Sequence, residues 1–111
     1  MNDEERRQIY REFGERANLP PKRLETWLDT DESKSVGDTD DGESTGHRSG
    51  RRIVEIKRKN KDELTDADYQ HMRKVVNYVK RHTAQRPGGD VRGSRWRYSL
   101  MNWGHDPLKT S

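Results

Sequence analysis

The sequence predicts an all-α protein, a small bundle of four to five helices interrupted by one long acidic loop. Three observations carry that expectation. Apolar residues recur at helical spacing in separate segments, as at Ile9, Phe13 and Ala17 and again at Met72, Val75, Val76 and Val79, a period that buries one stripe of a helix. Capping side chains stand in front of such segments, with Thr65 followed three residues on by Asp68, a capping-box pattern. Helix-ending residues stand behind them, as Pro20-Pro21 and Pro87-Gly88-Gly89 do.

Taken in order, Asn2 or Asp3 caps a first helix whose opening turn of Asp3, Glu4 and Glu5 suits the helix dipole. Its expected buried stripe is Ile9, Tyr10, Phe13 and Ala17. Pro20-Pro21 stops it, and Pro21 is placed to open a second, short helix through Leu24, Trp27 and Leu28. Residues 1–28 therefore read as a helical hairpin with a Pro-defined corner. From 29 to 50, Asp, Glu, Ser, Thr and Gly dominate and Val36 is the only aliphatic side chain. That stretch reads as an acidic loop, too polar to bury and long for a small domain.

A third helix is expected from about Ser49 to Lys59, with Ile53 and Ile56 facing inward. A fourth, capped by Thr65, runs to about Gln85 and buries Tyr69, Met72, Val75, Val76, Val79 and Thr83. The aromatic tail has two readings. As a helix, Trp96, Leu100 and Trp103 share a face between the cap Ser94 and the stop Gly104; as a strand, Trp96, Tyr98 and Leu100 alternate with Arg95, Arg97 and Ser99. The cap and the stop favour the helix. Residues 51–111 form a basic helical region with a Trp-rich tail, and the chain reads as a single domain.

Composition limits what such a chain can do. Leu, Ile, Val and Phe number 16 of 111 residues, which borders on the disordered range, so a thin core and modest stability are expected. A protein partner or a homodimer is one way to cover a thin core, although no heptad pattern supports a coiled coil. Cysteine is absent, which excludes disulfides and thiolate metal sites and fits a reducing compartment. The opening residues are acidic with no apolar run behind them, and apolar runs nowhere exceed two residues. Neither a secretory signal nor a membrane span is expected, and the expected location is the cytoplasm.

Charge is split along the chain. Residues 1–46 hold 7 Lys/Arg and 13 Asp/Glu, whereas residues 47–111 hold 16 Lys/Arg and 7 Asp/Glu. A basic half of this kind attracts polyanions, of which nucleic acid is the commonest in a cell. Between Arg48 and Lys61 stand Arg48, Arg51, Arg52, Lys57, Arg58, Lys59 and Lys61 against Glu55 alone; such a cluster suits sequence-independent phosphate contacts. It also serves to keep a weakly apolar domain soluble. On the fourth helix, Gln70, Lys74, Asn77 and Arg81 share the face opposite the buried stripe, all donors suited to phosphates and base edges. The bland reading is a solvated face, which must be polar in any case. Arg95 and Arg97 alternate with Trp96 and Tyr98, a mixture that supports stacking on unpaired bases, while in a chain so poor in aliphatics the tryptophans are needed as core. The acidic loop adds a third option, folding back on the basic helices as an internal competitor for nucleic acid.

Catalytic signals are weak. His47, His71, His82 and His105 are scattered, and His71 and His82 stand eleven residues apart on one helix, roughly 16 Å of rise and too far for one metal. Asp66, Asp68 and His71 are the closest carboxylate–imidazole group and read as a helix cap with its neighbour. With no glycine-rich phosphate loop, nucleophile motif or zinc signature, no enzyme, cofactor or metal is expected. The expected function is DNA binding, more than RNA binding, through Arg51, Arg52, Lys57, Arg58, Lys74 and Arg81, with Gln70 and Asn77 as base readers and Arg95 and Arg97 as further contacts. The alternative is a protein-interaction module whose basic half and Trp-bearing tail dock on an acidic partner.

Several blocks carry a family resemblance: Trp27-Leu28; Asp31-Glu32-Ser33-Lys34-Ser35-Val36-Gly37; Gly46-His47 with Ser49-Gly50-Arg51-Arg52-Ile53-Val54; His71-Met72-Arg73-Lys74-Val75-Val76; Ala84-Gln85-Arg86-Pro87; and the run from Trp96 to Pro107. In these the chain resembles the domain-of-unknown-function family 3140, small prokaryotic and fungal proteins without an established activity, from about residue 9 to residue 109. Members are often labelled DNA-binding, so the resemblance implies a leaning toward nucleic acid and supplies no catalytic residue. It also implies that the blocks around Ser33 and Ser49 are more than passive linker, which narrows the variable stretch to 38–45.

Overall fold

The first helix begins where its cap predicts. Asn2 accepts the Glu5 N–H at 2.8 Å and opens α1, Asp3–Arg16. The computed structural model describes residues 1–36 and 45–109, and among these the regular structure is entirely helical. After α1 come α2 (Pro21–Leu28), α3 (Asp31–Lys34), α4 (Thr45–Arg58), a 3₁₀ turn at Lys61–Glu63, α5 (Asp66–Thr83) and α6 (Arg95–Asn102). No helix among the described residues is long and apolar enough to cross a membrane.

Two helix pairs frame the molecule, α1 along α5 and α2 along α4, and α6 closes them by touching α2, α3, α4 and α5. The core between them is made by Phe13, Ala17, Leu24, Ile53, Met72, Val75, Val79 and Leu100 with the rings of Trp27, Tyr69 and Trp103. Each stripe follows from the 3.6-residue period of its helix. Tyr10 departs from its expected place: it is 40% exposed, and Lys61 Nζ sits 4.8 Å above its ring. Its angular position lies at the edge of the stripe set by Ile9 and Phe13, so it meets solvent and a cation instead of the core. Thr83 is half-buried and donates to the Val79 carbonyl at 2.7 Å.

The stretch expected to be loop from 29 to 50 is helical at both of its described ends. Thr30 caps α3 by accepting the Ser33 N–H, and α4 begins at Thr45, four residues before the expected start. It is not too polar to bury: Ser33 and Val36 are both enclosed. Burial of Ser33 is made possible by Asn102 on α6, whose amide donates to the Ser33 carbonyl at 3.0 Å and accepts the Ser33 hydroxyl at 2.5 Å. The same Asn102 Oδ1 accepts the Trp27 indole N–H at 2.8 Å. A buried amide with its partners supplied in this way avoids the cost of an unpaired polar group. Of the acidic residues expected to fold back over the basic helices, Asp38, Asp40, Asp41 and Glu43 lie outside the described residues, whereas Asp29 is described and shares a groove with Arg51 and Arg58.

The tail is helical, as its cap and stop predict. Ser94 accepts the Arg97 N–H at 3.1 Å, and the chain turns at Gly104, where φ is +80°. That turn sends His105 and Asp106 back to α1. His105 Nδ1–H donates to the Arg16 carbonyl at 2.6 Å, while Asn18 and Asp106 exchange side-chain–backbone hydrogen bonds at 2.8 and 3.1 Å. Lys109 donates to the Asn18 carbonyl at 2.6 Å. Cationic and imidazole donors at the end of α1 match its dipole and satisfy carbonyls that have no partner inside the helix.

Candidate nucleic-acid interface

Ten side chains are expected to meet nucleic acid, and the fold sorts them by where α4, α5 and α6 point. α4 advances about 100° per residue, so its cations are dispersed around it. Lys57, four residues after Ile53, falls on the inward stripe. Its ammonium is half-buried, donates to the Ala17 carbonyl at 2.5 Å and lies 5.7 Å from the Phe13 ring. Burial and the nearby Lys109 push its pKa down. Lys57 closes α1; the surface contact expected of it is corrected to an internal one.

Arg52 and Lys59 turn toward the start of α5. Asp68 there is fully buried and accepts from Arg52 Nη2 at 2.8 Å, Lys59 Nζ at 2.7 Å and the Thr65 N–H at 3.0 Å. Burial pushes its carboxyl up, but Lys59 and the Thr65 amide outweigh that and hold its pKa down at about 2. Arg52, expected at a phosphate, is thus committed to the capping box of α5. Arg51 and Arg58 face α2, in a groove shared with Glu25, Asp29, His47 and Glu55. Arg58 pairs with Glu25 at 2.9 Å, and such a solvent-facing pair holds its partners weakly.

On α6, Arg97 is also committed. Its guanidinium grips both oxygens of Asp106 at 3.1 and 3.0 Å and donates to the Arg92 carbonyl at 2.9 Å, so the fork locks the tail instead of reaching outward. Trp103 is core, and Trp96 is half-buried with its indole N–H on the His82 carbonyl at 2.6 Å. The Trp96 contact carries the first turn of α6, and Arg95 with it, to the C-terminal end of α5.

Gln70, Lys74, Asn77 and Arg81 behave differently. All four are exposed on one face of α5, and none has a hydrogen-bond or ion-pair partner among the described residues. Lys74 lies 6.0 Å from the centroid of the Trp103 ring, a ring stacked on Tyr78 at 4.2 Å and on His71 at 6.4 Å. Where α4 passes this face, Thr45, Arg48, Ser49, His71 and Lys74 line a hollow of about 320 Å³. Ser49 Oγ and His71 Nε2 stand 3.0 Å apart in it. Burial, with Arg52 and Lys74 near, holds the His71 imidazole below its usual pKa.

Arg48, Ser49 and His71 are absent from the sequence-derived set. Helical spacing of His71 and Lys74 at i and i+3 does put them on neighbouring positions, but their meeting with Arg48 requires the packing of α4 on α5. In the carboxylate–imidazole group of Asp66, Asp68 and His71, Asp68 caps α5 as expected, Asp66 pairs with Arg6 and His71 meets Ser49. No cluster of three or more His, Asp or Glu side chains placed to hold a metal occurs among the described residues.

A small helical domain whose ordered surface concentrates donors on one helix face defines the class. The chain belongs to the family described as protein of unknown function (DUF3140), whose model matches residues 12–101. No curated protein and no solved structure matches it.

Proposed function

We propose that this chain binds nucleic acid, duplex DNA foremost, through phosphate contacts made by the outer face of α5. The observation that carries this reading is the acid-free row of Gln70, Lys74, Asn77 and Arg81, exposed and without hydrogen-bond or ion-pair partners among the described residues. From Gln70 to Arg81 the row runs eleven residue steps, roughly 16 Å of helix. Arg48 extends it at the α4 side, and the Trp96 contact brings Arg95 to the far end of α5, so six surface donors lie along α5 and its ends while Arg52, Lys57 and Arg97 hold the fold. Lys74, Arg81, Arg48 and Arg95 supply phosphate contacts; Gln70 and Asn77 are the amides able to read base edges if α5 enters a major groove. The reading sets the protein in the cytoplasm, with nucleic acid accessible and no cysteine to oxidise.

The alternative, docking of the basic half and the Trp-bearing tail on an acidic protein partner, draws on the same cations, while Trp103 and the Trp96 N–H are used inside the fold. The deciding experiment is fluorescence anisotropy of a labelled random duplex with nuclease-treated protein at about 50 and about 200 mM salt. Binding that weakens along a linear log–log salt slope supports phosphate contact. Absence of binding at the lower salt rejects the reading and turns the search to protein partners.

A further inference from the structure

We infer that the hollow between α4 and α5 is a seat for one tetrahedral oxyanion, a phosphodiester group when nucleic acid is bound; its nucleic-acid source rests on the function proposed above. Among the described residues five side chains line it, and each carries a donor: the Thr45 and Ser49 hydroxyls, the Arg48 guanidinium, the His71 ring and the Lys74 ammonium. None is acidic. The nearest carboxylate along α5 is Asp68, whose oxygens are occupied by Arg52, Lys59 and the Thr65 amide. Two cations at the mouth therefore face a hydroxyl–imidazole pair with no anion among the lining side chains. A tetrahedral anion would complete this set, accepting from Arg48 and Lys74 at the rim and from Ser49 or His71 at the floor.

The floor is built rather than incidental. Ser49 is 4% exposed, so its hydroxyl is fixed at its place on α4. Trp103 stacks against the His71 ring with an interplanar angle of 10°, which fixes the ring plane. The charged groups around the imidazole are Arg48 and Arg52 on α4 and Asp68 and Lys74 on α5. Without an anion this environment keeps the ring neutral near pH 7, in line with its lowered pKa. An arriving oxyanion favours the imidazolium, so occupancy and protonation of His71 are linked: each strengthens the other, and affinity rises as pH falls.

The test uses the full chain, with histidine side-chain NMR between pH 5 and pH 8 and inorganic sulfate as the probe, against chloride at equal ionic strength. Sulfate stays a dianion across this range, so its own charge does not change with pH. We expect saturable perturbation of His71 with its pKa rising by on the order of one pH unit, while His105, fixed to the Arg16 carbonyl, stays as it was. Arg48→Gln with Lys74→Gln, both exposed substitutions that spare the core, should abolish the effect. No His71 response beyond chloride, or one that survives the double substitution, overturns the seat. Duplex anisotropy run in parallel separates the two readings. Salt-sensitive duplex binding with a silent His71 overturns the seat and leaves nucleic-acid binding standing; a sulfate response without duplex binding keeps the seat and removes nucleic acid as its source.

Discussion

Gly50 and Gly14 both lie inside helices, yet a methyl group at each has opposite consequences. A Cβ on Gly50 would stand 2.6 Å from the Asn102 carbonyl oxygen and 2.7 Å from a Leu28 methyl; backbone lies on one side, so the helices must part. Gly50→Ala is expected to cost about 2 kcal/mol. Gly14 has nothing within 4 Å of that position, so Gly14→Ala gains about 0.7 kcal/mol from helix propensity. Urea midpoints of the two variants, moving in opposite directions, check both. Asp68 sets a pH dependence of definite sign. Its folded pKa of about 2 lies below the ordinary value of 3.8, so its stabilisation is present above about pH 4 and is lost as pH falls toward about 2. Asp68→Asn should therefore cost about 2 kcal/mol at pH 7, and urea curves of variant and parent should converge near pH 2. The capping box at Thr65 and Asp68 is legible from three-residue spacing alone. The inward turn of Lys57 is also legible, since it follows Ile53 by four residues on the inward stripe, although its cationic side chain alone points to the surface. Arg97 offered no such signal, because its partner Asp106 arrives only through the reversal at Gly104.

Among the elements, α6 is the one whose loss would be felt most widely, since it touches four others. Asn102 concentrates that role by holding the Trp27 N–H and both polar groups of Ser33. Asn102→Ala strands three buried polar groups and is expected to cost about 3 kcal/mol. The loss should be accompanied by early hydrogen exchange in α3, whose four residues have little else to hold them. Measurement of exchange by mass spectrometry checks this; an unchanged α3 would mean Ser33 is held by something other than Asn102. This network explains why composition alone does not foresee the burial of Ser33 and Val36 in the first described part of the segment from 29 to 50. Polarity predicts a solvated loop only if no partner exists for the polar groups, and the partner here sits 69 residues away. Helices whose stripes are self-evident, α1, α2 and α5, were readable because burial and capping for them are local patterns.

For the whole molecule, the lengthwise charge split is redistributed by folding. Arg73 reaches Glu5 at 3.2 Å and Lys80 reaches Glu12 at 3.4 Å, so the acidic first helix neutralises one flank of basic α5. Among the described residues the opposite flank stays open, and the proposed interface is defined by that subtraction more than by net charge. Lys74→Glu with Arg81→Glu is expected to remove duplex retention at low salt, with helicity by circular dichroism unaltered. Retention in this double variant would take α5 out of the interface. The clamp on the end of α1 has a consequence in time. Its last carbonyls are met by Lys57, His105 and Lys109, forty to ninety-one positions from the groups they close. During synthesis, which proceeds from the N-terminus, α1 emerges before every group that closes its C-terminal end, and that end is complete only once the chain through Lys109 has been made.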